Sequence, residues 1–223
     1  PPNLVLLSGN VVDEGTPAEY ELARELLAGI RQPLLVIPGN HDEREAMREA
    51  FRDGGYLPAA GKFLQFAIDD YPLRLVGLDT LIPGQGGGEL CPERLDWLDR
   101  TLADRPEVPT LVMMHHPPFV TGIGHMDKIG LLSREAFAEV VAKHAQVERI
   151  LCGHLHRTIH AQVGGRPAMT CPSPAHQVAL DIHPDAPSRF RMEPPGFMLH
   201  WWNDGQLVTH AAVIGDCDGP YPF

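Results

Sequence analysis

Several short apolar runs of this chain end abruptly in polar clusters, and no other feature limits its possible folds as much. Leu34–Ile37 leads into Gly39-Asn40-His41-Asp42, Leu111–Met114 into His115-His116-Pro117, and Ile150–Cys152 into Gly153-His154-Leu155-His156. Runs of this length bounded by turn residues read as buried strands. Leu4–Leu7, followed by Ser8-Gly9-Asn10, reads the same way. Helical patterns lie between the runs. Thr16-Pro17-Ala18-Glu19 is a capping box with proline at the first helical position. Glu43–Phe51 predicts a short helix. Pro92–Leu102 carries Leu95, Leu98 and Leu102 on one face, and Ser133 is expected to cap a helix running to Ala145.

Lys62–Ile68 and Leu73–Leu78 predict further strands. After Thr158 the periods shorten, with strands expected at Ile159–Val163, Ala168–Thr170 and Val178–Ile182. Met198–Trp202 and Gln206–Val213 flank Asn203-Asp204-Gly205, a hairpin signal. Strand–helix alternation followed by a strand-rich region predicts an α/β fold: two packed mixed β-sheets flanked by helices, in a single domain over residues 1–223. In such folds chemistry gathers in the loops at the carboxyl ends of the strands, where all the polar clusters fall.

Composition narrows the function. With 223 residues and 43% hydrophobic content the chain is long and apolar enough for one sizeable core. A formal charge of -11 argues against nucleic acid as a bulk partner, because like charges repel. A small phosphate ester stays compatible, since bound metal ions reverse the local field. Cys91, Cys152, Cys171 and Cys217 form no C-x-x-C pair, which suggests a reducing, cytoplasmic setting. No apolar stretch approaches the roughly 20 residues of a membrane helix. The abrupt opening at Pro1-Pro2-Asn3 suggests that something upstream is missing.

The clusters carry metal-type chemistry. In an extended segment, residues two apart face the same side, so His154 and His156 are expected to aim two imidazoles at one spot. Of the neighbours His115 and His116, at most one should be a ligand. His115 is the better candidate, and the other is expected to pack or hydrogen-bond. Asn40 offers a hard amide oxygen, and His41 offers an imidazole suited to proton transfer. Asp42 would orient His41 or begin the next helix.

Taken together and in this order, Ser8-Gly9-Asn10, Gly39-Asn40-His41-Asp42, His115 and Gly153-His154-Leu155-His156 resemble the calcineurin-like metallophosphoesterase superfamily. The likeness is to its bacterial cyclic-nucleotide and glycerophosphodiester phosphodiesterase branch. Thr121–Asp127 and Ala175-His176-Gln177-Val178 extend the likeness. The resemblance implies metal-dependent hydrolysis of a small phosphodiester by two divalent ions (Mn, Fe, Zn or Co). Asn40, His115 and His154 would hold one ion, His156 would belong to the other, and Asn10 would coordinate weakly. His41 would act as proton donor or charge stabiliser, and His176 would line the substrate pocket. The ions would activate a water for in-line attack on phosphorus. A homo-oligomer is compatible with this reading.

Two departures from the family pattern bear on activity. The superfamily begins with a strand ending in Asp-x-His, and no residues here fill that place, so the first strand is expected to be missing and one sheet to have a gap. Asn10 stands where relatives carry aspartate, and an amide has one neutral oxygen with which to replace a bridging carboxylate. A degenerate member that binds one metal without efficient turnover is therefore the alternative reading. A phosphomonoesterase or nuclease of the same superfamily is a further one, the nuclease being disfavoured by the acidic charge.

Overall fold

The computed structural model describes residues 1–222. Its strands and helices, in chain order, are β1 (Val5–Leu7), α1 (Pro17–Leu27), β2 (Leu34–Val36), α2 (Arg44–Ala50), β3 (Phe66–Ile68), β4 (Arg74–Gly77), α3 (Pro92–Asp104), β5 (Thr110–Met114), α4 (Gly124–Asp127), α5 (Arg134–Ala142), β6 (Val147–Cys152), β7 (His160–Val163), β8 (Arg166–Thr170), β9 (Gln177–Val178), β10 (Phe190–Arg191), β11 (Gly196–Asn203) and β12 (Gln206–Val213). The capping box at Thr16 and Glu19 forms with both of its reciprocal bonds.

A six-stranded sheet in the order β3-β4-β5-β6-β8-β7 is the centre of the molecule. Its four inner strands are parallel, and the edge strands β3 and β7 run antiparallel to their neighbours. Both faces are covered, as a parallel sheet requires. Alternation along each strand divides the core. Val76, Val112, Met114, Ile150 and Cys152 face α3 and α5, where Leu98, Leu102, Phe137 and Val141 meet them. Leu75, Leu111, Met113, Leu151 and Met169 face the other way, toward Leu35, Ile37, Tyr20 and Met47. Met198, Trp202 and Leu207 of the β11–β12 hairpin pack on that same face.

The predicted α/β architecture is present, but the second layer differs from one continuous sheet. It is built of separate two-stranded ladders, parallel β1–β2 and antiparallel β11–β12. Other expected elements are trimmed. Lys62–Ile68 keeps only Phe66–Ile68 as strand, because the Leu64 N–H is taken by the Asp79 carboxylate at 2.9 Å. Val178–Ile182 yields only Gln177–Val178, as residues 180–182 lie exposed with no ladder partner. Ser133 does occupy the N-cap of α5, yet its hydroxyl accepts from Leu90 N at 2.8 Å and not from its own helix.

Buried histidines make the fold acid-sensitive. His200, on the inward side of β11, bonds Thr209 Oγ1 at 2.8 Å. Burial, aided by the Arg149 charge, lowers its pKa to about 4. Burial also lowers His116 to about 3 and His154 to about 4. The fold holds these rings neutral, whereas the unfolded chain protonates them near 6.5. Their contribution to stability is therefore complete above about pH 6.5 and is lost as pH falls toward 4 and below. The urea midpoint of metal-free protein is expected to be flat from pH 7 to 8 and to fall steeply from 6.5 to 4, with His200→Gln reducing the slope. A midpoint independent of pH over that range would contradict this account.

Candidate metal centre and active site

Four loops meet at the carboxyl ends of β1, β2, β5 and β6. The first pair of strands belongs to one layer and the second pair to the other, so the site forms where the two layers converge. Glycine permits the approach. A Cβ on Gly39 would collide with the Asn10 side chain and backbone, and one on Gly153 would stand 2.5 Å from the Ser8 carbonyl oxygen.

The hydrogen bonds of two imidazoles define their chemistry. His115 Nδ1 lies 2.6 Å from the Ser8 carbonyl oxygen. A carbonyl only accepts, so Nδ1 carries the proton and Nε2 is left with a lone pair. His154 Nε2 lies 3.0 Å from the Ile129 carbonyl oxygen, which by the same logic leaves a lone pair on Nδ1. These two lone-pair nitrogens are 3.2 Å apart, and Asn40 Oδ1 is 3.1 Å from His115 Nε2. Three acceptors thus converge. Burial, the largest cause, holds the His115 pKa well below its usual value and the His154 pKa near 4, so both rings are neutral at physiological pH. Lone pairs facing each other repel unless a cation lies between them. Ligand atoms 2.0–2.2 Å from one ion stand roughly 2.8–3.6 Å apart in octahedral or tetrahedral geometry. The observed spacings fit, and backbone carbonyls that fix the tautomer are the usual outer support of histidine ligands.

His116 belongs to the same buried group, in which candidate ligand atoms of His115, His116 and His154 lie within 4.8 Å of one another. Its nitrogens are already engaged, however. Nδ1 bonds Thr80 Oγ1 at 2.8 Å and Nε2 bonds the Gly86 carbonyl oxygen at 3.2 Å. Through these two bonds His116 supports the loop.

His156 reaches the site differently from the sequence expectation. Gly153–His156 is not extended, and His154 and His156 both adopt left-handed backbone, with φ of 68° and 52°. The Nδ1 of His156 is buried and has no protein partner, and its ring packs on His176 with centroids 4.8 Å apart. Asn10 also lies in left-handed backbone, with φ 53°. Its Oδ1 accepts from His41 N at 3.3 Å, and its Nδ2 lies 3.5 Å from Asn40 Oδ1. This turns the amide N–H end toward the cluster, and that end does not bind cations.

His41 lies at the rim, with its side chain 45% exposed. Its Nδ1 bonds the Asp13 carbonyl oxygen at 2.8 Å and stands 3.0 Å from Asp13 Oδ1. Asp13 thus takes the orienting part that the sequence suggested for Asp42. Asp42 does not orient His41, and its charge lies just before the N-terminus of α2. It is buried, accepting from Gly39 N at 2.8 Å, Val11 N at 3.3 Å and the Tyr20 hydroxyl at 2.9 Å. Burial raises its pKa, and these bonds oppose the rise. The N-cap of α2 is Glu43. Thr80, Asp13 and the Ser8 and Ile129 carbonyls escaped sequence reasoning. A backbone carbonyl has no letter of its own, and Asp13 and Thr80 lie outside the three clusters.

The two-layer α/β fold and this buried donor set define a protein with a candidate metal centre at the carboxyl ends of its strands. Residues 1–158 match the family described as calcineurin-like phosphoesterase. The "Probable glycerophosphodiester phosphodiesterase GpdQ" of Arcobacter nitrofigilis is 41% identical over 224 residues, covering 100% of this chain and 82% of that protein. The 3',5'-cyclic adenosine monophosphate phosphodiesterase CpdA of Escherichia coli K12 is 34% identical over 217 residues, covering 96% of this chain and 75% of its own length. A dimetal phosphatase from Danio rerio shares the fold, with a TM-score of 0.61 at 13% identity over 96% of this chain and 84% of that one. The chain belongs to the calcineurin-like phosphoesterase family.

Proposed function

We propose that this chain hydrolyses small phosphodiesters of the cyclic-nucleotide or glycerophosphodiester type with the help of bound divalent cations. The observation that carries this is the convergence of Asn40 Oδ1 with His115 Nε2 and His154 Nδ1, two imidazole nitrogens whose carbonyl partners leave them lone pairs pointing inward. A divalent cation held there supplies Lewis acidity, acidifying water and neutralising phosphoryl oxygens. His156, with its unpartnered buried Nδ1, serves a second ion. Asn10 is at most a weak ligand. His41 hands a proton to the leaving oxygen, oriented by Asp13, and His176 lines the substrate side. We take residues 1–223 as one domain, since Leu6 near one end and Leu207 near the other pack in one core cluster. A reducing, cytoplasmic setting fits four cysteines that form no disulfide, and no helix among the described residues is long and apolar enough to cross a membrane.

The test is calorimetric titration of chelator-stripped protein with Mn²⁺, paired with hydrolysis of bis(4-nitrophenyl) phosphate. His115→Ala and His154→Ala should each abolish the tight site and turnover together. Unchanged metal affinity in both variants would refute the assignment. The Asn10 amide favours the second reading, a one-ion protein with poor turnover. Two tight ions with brisk hydrolysis would exclude it, and one ion with negligible hydrolysis would establish it.

The support around the ligands is testable separately. Gly153→Ala pushes against the Ser8 carbonyl that holds His115. Loss of an outer partner typically costs 10–100-fold in metal affinity, and about that loss of Mn²⁺ affinity is expected here. An unaltered affinity would mean that the Ser8 contact does not set the imidazole.

A further inference from the structure

Beside the histidine cluster a short ladder of rings leads outward. His156 packs on His176, and His176 packs on Phe190, each with centroids 4.8 Å apart and interplanar angles of 60° and 53°. The inner end is the imidazole whose buried Nδ1 lacks a partner. The outer end, Phe190, is 63% exposed.

An exposed aromatic residue is not remarkable by itself, since much of any protein surface is apolar. Phe190 differs in how firmly it is held. It pairs with Val178 in the β9–β10 ladder, and Ala179 N donates to Arg189 O at 2.9 Å. Val178 is 8% exposed and packs with Ile123, Met126 and Leu155, so the paired strand is anchored in a core cluster beside the site. Arg157 bonds Val178 O at 2.7 Å and the Glu193 carboxylate at 2.9 Å, tying both strands to the loop that carries His156. The fold therefore fixes a large apolar ring in water within two ring contacts of the candidate phosphate end. Such a ring has no hydrogen-bonding group for the hydroxyls of a polyol but presents a full stacking face to a planar heterocycle.

We propose that Phe190, backed by His176, is a specificity-determining wall that stacks the planar base of a nucleotide-type phosphodiester and so favours it over a glycerol ester. The proposal rests on the phosphodiesterase reading for the position of the phosphate, and it selects between the two substrate types of that reading. Base–aromatic stacking is worth enough to change affinity about tenfold when the ring is removed.

The test uses a matched pair of probes, AMP and ribose 5-phosphate, which share sugar and phosphate and differ in the base. Both are titrated by calorimetry into the full chain in Mn²⁺ buffer. Wild type is expected to bind AMP about tenfold more tightly than ribose 5-phosphate. Phe190→Ala should bring AMP down to the ribose 5-phosphate level without changing the latter, and Phe190→Tyr should retain the preference. Equal affinity of wild type for the two probes, no binding of either, or equal weakening of both by Phe190→Ala would each overturn the proposal. Hydrolysis of bis(4-nitrophenyl) phosphate is followed in parallel. An AMP preference without any hydrolysis refutes the phosphodiesterase reading and leaves the wall standing, whereas hydrolysis without the preference does the reverse.

Discussion

His41→Ala is expected to lower turnover by about 10²–10⁴-fold, the range for loss of a general acid, while leaving the metal content unchanged. The expectation follows from what His41 touches. Its Nδ1 is committed to Asp13, through the carbonyl oxygen at 2.8 Å and the carboxylate at 3.0 Å, and among the described residues Nε2 has no protein partner. The ring is half exposed at the mouth, while the convergent lone pairs belong to Asn40, His115 and His154 behind it. Removing it should therefore spare the ion and affect the proton. The discriminating comparison is a substrate with a poor leaving group against one with a good leaving group, because only the former needs protonation as it departs. Asp13→Asn, which keeps the backbone contact, should cost much less, since the carboxylate is largely exposed. Equal turnover of wild type and His41→Ala on the poor leaving group would remove His41 from the mechanism, and loss of metal would reassign it as a ligand.

The largest expected loss of stability comes from a residue that no motif marks. Asp79 is fully buried at the carboxyl end of β4. It receives Arg44 Nε at 2.7 Å and Arg44 Nη2 at 2.8 Å, together with the backbone N–H groups of Leu64 and Leu81. Arg94, also buried, stands 3.9 Å from the carboxylate and donates to the Asp79 carbonyl oxygen at 2.9 Å. Phe63 lies against both guanidinium groups. Removing one partner from a buried charge network strands the others, which typically costs about 3–5 kcal/mol. Asp79→Ala should reduce the unfolding free energy by about that amount, because among the described residues Arg94 keeps only the partly exposed Glu89 carboxylate as a charge partner, at 3.6 Å. The site should suffer too, since Thr80 next in sequence holds His116. Urea denaturation of Asp79→Ala and Asp79→Asn tests this. A loss below about 1 kcal/mol in Asp79→Ala would show that solvent reaches the arginines and compensates them.

Much of the architecture was legible in the chain. Gln206–Val213 agrees residue for residue with the predicted strand, and the Leu111–Met114 run lies within Thr110–Met114, because continuous apolar runs and an Asn-Asp-Gly turn constrain the backbone locally. Asp204 and Gly205 take the positive φ values, 47° and 83°, that this turn demands. Three polar clusters at strand ends brought Asn40, His115 and His154 to attention, and the structure places Asn40 Oδ1 and His154 Nδ1 at 3.1 Å and 3.2 Å from His115 Nε2. The same local reasoning failed where it assumed extended backbone. His154 and His156 were expected to face one way by strand alternation, but a left-handed loop delivers His154 to His115 and His156 to His176.

What the chain determined by itself was the set of chemically capable side chains and their attachment to strand ends, since hydrophobic period and turn chemistry act over a few residues. Tertiary structure alone decided which atoms of those side chains are available. Ser8 O selects the His115 tautomer across 107 positions of sequence, Ile129 O selects that of His154, Gly86 O and Thr80 take His116 out of contention, and Asp13 displaces Asp42 as the partner of His41. These choices are made by backbone carbonyls and by contacts between distant loops. The backbone group is the same in every residue, and only the packing of the two layers brings a given one within hydrogen-bonding distance of a given ring.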